Sequence, residues 1–269
     1  MGVFESNVVP DFQNETMISL ILKCLNPESF NNYRPISLCN TIYKVVTKII
    51  VGQIRPFLDK VISPNQATFV PWRRELDNFF IAQELIHSLD NKRGKVGFMA
   101  IKVDLAKAYD HLEWPFIHKV LRASHLPQIL IDLIMSCISS TSISISFNRG
   151  KLNPFKPSRG LCQGNPLSPF LFILCMEYLG FLINKSCMEK KWLPTKASKD
   201  NVEISHLFFV DDLMLFAKAN EIGVEAIKEV LAKFCDESGQ LISIEKSRVY
   251  FSPNIHEGVK DRIYASLGI

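Results

Sequence analysis

Residues 207–216 read LFFVDDLMLF, and this stretch decides the fold because two adjacent acids, Asp211 and Asp212, stand between two apolar runs. As strands, the runs would form a hairpin apolar enough to be buried, with both carboxylates at its tip. Side chains alternate faces along a strand, so tip residues can face a site while their neighbours enter the core. Two anions beside a core are costly unless a cation or strong hydrogen bonds compensate them.

A second apolar strand, predicted over residues 97–104, also ends in an acid, Asp104. Three strand-end carboxylates that converge would make an oxygen-rich site for Mg²⁺. Two such ions, about 3.5–4 Å apart, can activate a primer 3′-hydroxyl and stabilise the leaving pyrophosphate. A solvated turn or a helix cap would explain the Asp pair alone. The flanking apolar strands and Asp104 instead favour a catalytic centre of the palm-polymerase type.

Composition sets broad limits on the protein class. The chain has 269 residues, 47% hydrophobic and 22% charged, which describes a globular protein with a substantial core. A net charge of +4 permits a nucleic-acid partner, although an ordinary soluble enzyme fits that charge equally well. The seven cysteines include no C-x-x-C pair, so we do not expect a zinc knuckle. We expect an intracellular, reducing location instead.

The longest apolar run, residues 170–183, is interrupted by Glu177 and is shorter than the ~20 residues of a membrane span. We therefore expect a buried helix, no membrane partner and, given the polar N-terminus, no signal peptide. Elsewhere, periodicity predicts strands near 16–39, 97–104, 141–147 and 241–251, and helices near 40–58, 76–89, 111–123, 127–136, 166–185 and 224–234. This order predicts an α+β palm preceded by a smaller subdomain.

Several further residues have the chemistry of a nucleotide site. Tyr109, five residues after Asp104, could pack on the sugar of an incoming nucleotide, although a core aromatic is the alternative. Gly164 allows close backbone approach, and Gln163 would lie near the nucleotide or the template base. The helix that follows could be capped by Asn165 and begun by Pro166, and a capped helix alone is the alternative. Two cations complete the set. The Arg34 guanidinium could bind triphosphate oxygens bidentately, and the Lys246 ammonium could protonate a leaving pyrophosphate.

Four motifs occur in the order of a known family: residues 34–38 (RPISL), 104–110 (DLAKAYD), 163–164 (QG) with 167–169 (LSP), and 209–212 (FVDD). On these motifs the chain resembles the reverse transcriptase domain of non-LTR (LINE-type) retrotransposons, most closely those of plants, from about Thr16 to Ser252. The resemblance implies a right-hand polymerase with an antiparallel palm sheet packed on helices. Fingers would span residues 1–95, the palm 96–252, and residues 253–269 would begin a truncated thumb or a tail.

The resemblance also implies an RNA-directed DNA polymerase that uses an RNA template, a DNA primer and dNTPs. Two Mg²⁺ ions, with Mn²⁺ as an alternative, would be held by the family's three acids, which match Asp104, Asp211 and Asp212. Tyr109 matches the family's sugar gate. Gln163 and Gly164 match the residues that line the nucleotide pocket. The residue that matches the triphosphate contact is Arg34, and the one that matches the active-site lysine is Lys246.

The chain departs from the family pattern at several positions. Cys162 stands where an arginine is usual, Asn165 where an aspartate is, Trp72 where a turn glycine is and Ser243 where an asparagine is. The resemblance also leads us to expect a separate or missing endonuclease domain and a truncated thumb. The alternative function is therefore an inactive remnant that at most binds RNA, through basic residues such as Lys44, Lys48 and Arg55. Motif order argues against a third reading, a palm-fold nucleotide cyclase. Whether the protein acts in the nucleus or the cytoplasm is open.

Overall fold

A computed structural model describes residues 2–10, 14–148, 150–196, 202–209 and 212–269. The chain forms two compact units, each built from two segments. The first unit comprises residues 1–57 and 109–172, and the second comprises residues 58–108 and 173–269. The predicted boundaries of fingers, palm and thumb concern functional subdomains, and they stay predictions.

Strands and helices are both abundant in the described residues. The strands are β1 Glu15–Leu22, β2 Tyr33–Cys39, β3 Phe98–Asp104, β4 Ser142–Phe147, β5 Gly150–Lys151, β6 His206–Phe209, β7 Asp212–Lys218 and β8 Arg248–Phe251. The helices are α1 Val3–Ser6, α2 Thr41–Val61, α3 Glu75–Asp90, α4 Ala108–His111, α5 Trp114–Ala123, α6 Gln128–Ser139, α7 Ser168–Met188, α8 Glu221–Ser238 and α9 Glu257–Leu267. The predicted α+β class is confirmed.

The first unit contains a sheet in the order β2-β1-β4-β5. β1 pairs antiparallel with β2 and parallel with β4. Buried polar groups tie this unit together: the Asn14 Nδ2 donates to the Cys137 carbonyl at 2.7 Å, and the Tyr43 hydroxyl donates to the same oxygen at 2.9 Å. Because buried polar groups are costly unless they are hydrogen-bonded, these contacts specify how helix and sheet meet.

The second unit contains the sheet β6-β7-β3-β8, which is antiparallel throughout. The sheet packs against α3 through one apolar cluster formed by Ala82, Leu85, Leu89, Ala100, Leu207 and Phe216. The predicted apolar hairpin is therefore present as β6 and β7, and its strands are buried. Val210 and Asp211, at its predicted tip, lie outside the described residues.

α7 is the helix predicted from the longest apolar run, and most of its apolar side chains are buried. Among the described residues, it is the one helix long and apolar enough to cross a membrane by length and composition alone. A buried core helix passes the same test, so this is weak support for a span. The half-buried Glu177 within the helix accepts the Ser63 N–H at 3.0 Å, and partial burial raises the pKa of this carboxyl.

Two of the differences between the predicted and observed boundaries have a local cause. α7 begins at Ser168 because residues 166–167 form a turn, in which the Asn165 Oδ1 accepts the Leu167 N–H at 3.0 Å. The predicted strand pair at 241–251 yields one strand, β8, because residues 244–246 form a 3₁₀ turn. Both differences arise from local hydrogen bonds that compete with regular structure.

Candidate active site

An acidic edge forms in the second unit where β3 ends and β7 begins. Asp104 is the last residue of β3, Asp212 is the first of β7, and the two are directly paired across the antiparallel ladder. Side chains opposite one another on adjacent strands have Cβ atoms about 4.5–5.5 Å apart, and like charges in such a pair repel. The register therefore brings two of the three predicted metal ligands face to face.

Two lysines compensate these carboxylates. The Lys102 Nζ lies 3.0 Å from the Asp212 Oδ1, and the Lys246 Nζ lies 3.8 Å from the Asp104 Oδ1. Lys102 stands two residues before Asp104, so strand alternation puts both side chains on one face of β3. The solvent-exposed fractions of the lysine side chains are 47% and 71%, so each ion pair contributes only about 0–1 kcal/mol to stability.

The backbone of Asp104 is fixed by the segment before β8. Its N–H donates to the Ser247 Oγ at 3.3 Å, and its carbonyl accepts the Ser243 N–H at 2.8 Å. Two residues later, the Ala106 N–H donates to the Leu241 carbonyl at 2.8 Å. Ser243 supports Asp104 through its backbone, so a serine at this position leaves that hydrogen bond in place.

The third predicted ligand, Asp211, lies outside the described residues. Within the part of the chain that is described, no group of three or more His, Cys, Asp or Glu side chains could hold a metal ion. Asp104 and Asp212 nevertheless offer only carboxylate oxygens, the donors that hard cations such as Mg²⁺ and Mn²⁺ prefer. Mg²⁺ is usually bound by one or two carboxylates together with waters and substrate phosphates, which fits this partly exposed pair.

Tyr109 lies in the first unit. Its ring stacks on Phe172, with ring centroids 4.8 Å apart and an angle of 15° between the planes. Its carbonyl accepts the Leu161 N–H at 2.8 Å, which ties it to the loop that contains Gln163 and Gly164. The stacked ring is half-buried, so one face is fixed by packing while part of the side chain stays accessible.

The loop of residues 160–165, called here the glycine loop, lies against β2. Gly164 has a φ of +106°, and a Cβ at this position would lie 2.8 Å from the Ser37 carbonyl oxygen. The Gln163 carbonyl accepts the Ser37 N–H at 3.0 Å. Both the left-handed backbone and the close approach require a glycine. Arg34 is exposed on β2, three residues before Ser37.

Asn165 closes the loop through its side chain. Its Nδ2 donates to the buried Tyr43 hydroxyl at 2.9 Å, in addition to the bond that its Oδ1 accepts. An uncharged amide can make both bonds, whereas an ionised aspartate only accepts. The asparagine therefore suits this site, where the family resemblance led us to expect an aspartate.

A cavity of about 250 Å³ opens beside the glycine loop within the first unit, and its lining includes Ser37, Tyr43, Thr141, Cys162, Gln163 and Asn165. Burial raises the pKa of the Cys162 thiol to about 12, so the side chain is neutral at physiological pH. The position at which the family usually has an arginine therefore carries no charge in this chain.

The structure brings Asp104, Asp212 and Lys246 together in the second unit, and it holds Tyr109 on the loop of Gln163 and Gly164 in the first. The sequence reasoning missed Lys102. Its signal was available, because a lysine two residues before a strand-end acid shares the face of that acid.

Comparisons with known proteins agree with these observations. The chain matches the family described as reverse transcriptase (RNA-dependent DNA polymerase) over residues 25–267. It is 26% identical over 245 residues to the transposon TX1 uncharacterized 149 kDa protein of Xenopus laevis, which covers 91% of this chain and 18% of that protein. It is also 26% identical over 228 residues to the Pol polyprotein of the Drosophila melanogaster element R2DM, which covers 84% of this chain and 20% of that protein.

A solved structure shares the fold. Telomerase from Candida tropicalis, in complex with a fragment of telomeric RNA, superposes with a TM-score of 0.64 at 13% identity. The match covers 90% of this chain and 41% of the telomerase chain. The predicted likeness to non-LTR retrotransposon proteins is confirmed by the relatives, although this chain spans only about a fifth of their length.

Proposed function

Because the chain belongs to the reverse transcriptase (RNA-dependent DNA polymerase) family, we propose that it extends a DNA primer with deoxynucleotides directed by an RNA template. The observation that carries the proposal is the facing pair Asp104–Asp212, at the ends of two adjacent core strands. Like charges directly opposite one another on adjacent strands are destabilising, whereas a metal ion that neutralises charge in phosphoryl transfer can be held by such a pair.

In the proposed reaction, the primer 3′ oxygen bonds to the α-phosphorus of a dNTP while the bond from that phosphorus to the pyrophosphate oxygen breaks. The hydroxyl proton passes to solvent. Asp104, Asp211 and Asp212 would hold two Mg²⁺ ions, with Mn²⁺ as an alternative, and the bound metal supplies charge neutralisation at the reacting phosphate. The hydrogen bonds to the backbone of Asp104 keep its carboxylate in position before substrate arrives.

The two lysines of the acidic edge have different proposed roles. Lys246, whose Nζ is 3.8 Å from Asp104 and largely exposed, is free to donate a proton to the leaving pyrophosphate. In this proposal Lys102, which lies closer to its partner at 3.0 Å, neutralises the Asp212 carboxylate and competes with any cation that this carboxylate binds.

Residues of the first unit would select the nucleotide. The Tyr109 ring, fixed on Phe172, would exclude a 2′-hydroxyl and so favour dNTPs over ribonucleotides. Gln163 and Gly164 would line the nucleotide pocket, where the bare Gly164 backbone allows close approach. The exposed Arg34 guanidinium would bind triphosphate oxygens bidentately.

Primer extension on an annealed RNA template, with dNTPs and Mg²⁺, tests this proposal. We expect Asp212→Asn and Asp211→Asn each to lower extension on the order of 10²–10³-fold or more. Asp261→Asn, which removes an exposed carboxylate from α9, is the matched control and should extend as the wild type does. Undiminished extension by Asp212→Asn would remove this residue from the site.

A second candidate is an inactive RNA-binding remnant, which two features favour. Cys162 provides no charge, and Trp72 adopts a left-handed φ of 66° where a glycine is expected. A folded wild-type chain that binds RNA without extending a primer would support this candidate. We also propose an intracellular location for the protein.

A further inference from the structure

α2 carries a row of three cations that the proposed reaction does not use. Lys44, Lys48 and Arg55 stand at positions i, i+4 and i+11, which helical geometry places within about 40° of one another around the axis. No carboxylate pairs with any of them among the residues that the structure describes. α2 contains one acidic residue, Asp59, four residues after Arg55, and its carboxylate pairs with the Arg73 guanidinium at 3.0 Å.

The spacing of the row suits a line of phosphates. A rise of 1.5 Å per residue separates Lys44 from Lys48 by about 6 Å along the axis and Lys48 from Arg55 by about 10.5 Å. Lys48 and Arg55 are exposed and Lys44 is half-buried, so long flexible side chains can reach several consecutive nucleotides. Such contacts supply affinity that is independent of base sequence.

Gly52 leaves the helix backbone beside the cations without a covering side chain. It is exposed in the interior of α2, and a Cβ built on it would meet nothing within 4 Å. Glycine inside a helix is destabilising relative to alanine, and no packing contact among the described residues requires it here. A bare backbone does, however, let a ligand strand approach closely.

An aliphatic row borders the cations on the far side of Gly52. Ile42, Val45 and Ile49 are 55%, 54% and 45% exposed, which is high for side chains that favour burial. Sugars and base faces present apolar surface beside the phosphates, so one strand could cover both rows.

We propose that this face of α2, formed by Lys44, Lys48, Gly52 and Arg55, binds the sugar–phosphate backbone of the template RNA, with the aliphatic row against its sugars or bases. The identity of the strand as template rests on the proposed function. Charge complementarity favours RNA over a protein segment, because an apolar protein surface would leave three cations unpaired.

The test measures binding of a fluorescent single-stranded RNA to the full chain over a range of salt concentrations. The variant K44Q/K48Q/R55Q should lower the slope of log K against log salt by about 2 and weaken binding about 100-fold at 0.1 M salt. The matched control, K191Q/K228Q/K260Q, removes the same charge from lysines that already pair with glutamates, and it should keep the wild-type slope. Thermal unfolding of both variants verifies that they are folded.

Equal loss in both triple variants would reduce the effect to net charge and overturn the proposal, as would no loss in either. Gly52→Ala should raise the melting temperature and weaken RNA binding at least threefold; unchanged binding would overturn the close approach at Gly52. If I42S/V45S/I49S abolishes self-association while RNA binding is unchanged, the face binds protein and the proposal fails.

Primer extension separates this inference from the proposed function. A wild-type chain that binds RNA through α2 without extending a primer would leave the RNA-binding face established and remove the polymerase proposal. Extension by the wild type, together with undiminished RNA binding by K44Q/K48Q/R55Q, would leave the polymerase proposal standing and remove the role of α2.

Discussion

The acidic edge and the glycine loop solve different physical problems. At the acidic edge, Asp104 and Asp212 are balanced by Lys102 and Lys246 through partly exposed side chains. In the glycine loop, the arrangement depends on backbone: Cβ atoms at Gly160 and Gly164 would each lie 2.8 Å from a carbonyl oxygen. The edge can therefore lose a charge and stay folded, whereas the loop cannot gain one methyl group without a shift.

The largest stability effect should come from Gly164→Ala. The new Cβ would lie 2.8 Å from the Ser37 carbonyl at a φ of +106°, so we expect a loss of about 2–3 kcal/mol in the free energy of unfolding, measured with urea. Gly258→Ala is the control, because its Cβ would enter open space within α9 and should add up to about 1 kcal/mol. Equal stabilities of the two variants would contradict a loop built on close backbone approach.

Tyr109 tests whether the loop side of the molecule selects the sugar. Removing the ring in Tyr109→Ala should lower discrimination against ribonucleotides about 10–100-fold in primer extension, since one pocket group is worth that much. Tyr109→Phe keeps the ring stacked on Phe172 and should discriminate as the wild type does. If the alanine variant discriminates normally, Tyr109 is not the sugar gate.

The acidic edge could be read from sequence because its signals are local. Apolar runs that end in acids predicted β3 and the β6–β7 hairpin, and alternation along β3 also points to Lys102. The register that sets Asp104 opposite Asp212 could not be read, because nothing local specifies which strands are neighbours.

The glycine loop could be read only in part. The sequence favoured close backbone approach at Gly164, but the partner, Ser37, lies far away along the chain. The start of α7 was misplaced for a related reason: Asn165 bonds to the distant Tyr43 hydroxyl and to Leu167, and the helix begins after that turn. The local bond to Leu167 closes the turn that delays the helix, and the tertiary bond to Tyr43 holds Asn165 in that turn.

Trp72, like Gly164, has a left-handed backbone conformation, but it is a bulky residue where Gly164 has no side chain. It follows Pro71 in a turn where the Arg73 N–H donates to the Val70 carbonyl at 3.4 Å, and its φ is 66°. A turn with proline second and positive φ third favours glycine third. Because Trp72 is 99% exposed, it gives up almost no buried contact on substitution.

Trp72→Gly should therefore raise the free energy of unfolding by about 0.5–1 kcal/mol. The substitution relieves about 1–2 kcal/mol of backbone strain in the folded state. This gain exceeds the free-energy cost of the greater conformational entropy that glycine gives the unfolded chain. Trp72→Ala keeps a Cβ and should change little in the same urea titration. A destabilised glycine variant would show that the indole makes a contact worth more than the strain.

Substitution of Lys102 should give the smallest effect of these variants. It tests whether the acidic edge, unlike the glycine loop, depends on charge. Its ammonium neutralises Asp212 and so competes with any cation that the carboxylates bind. Because the pair is half-exposed and worth at most about 1 kcal/mol, Lys102→Met should tighten Mn²⁺ binding only about 2–5-fold, measured by electron paramagnetic resonance titration. Lys218→Met, at the opposite end of β7, removes an equal charge and should leave the affinity unchanged. Weaker binding in the Lys102 variant would mean that the lysine orients Asp212 more than it competes, so even the charge-built edge would depend on geometry.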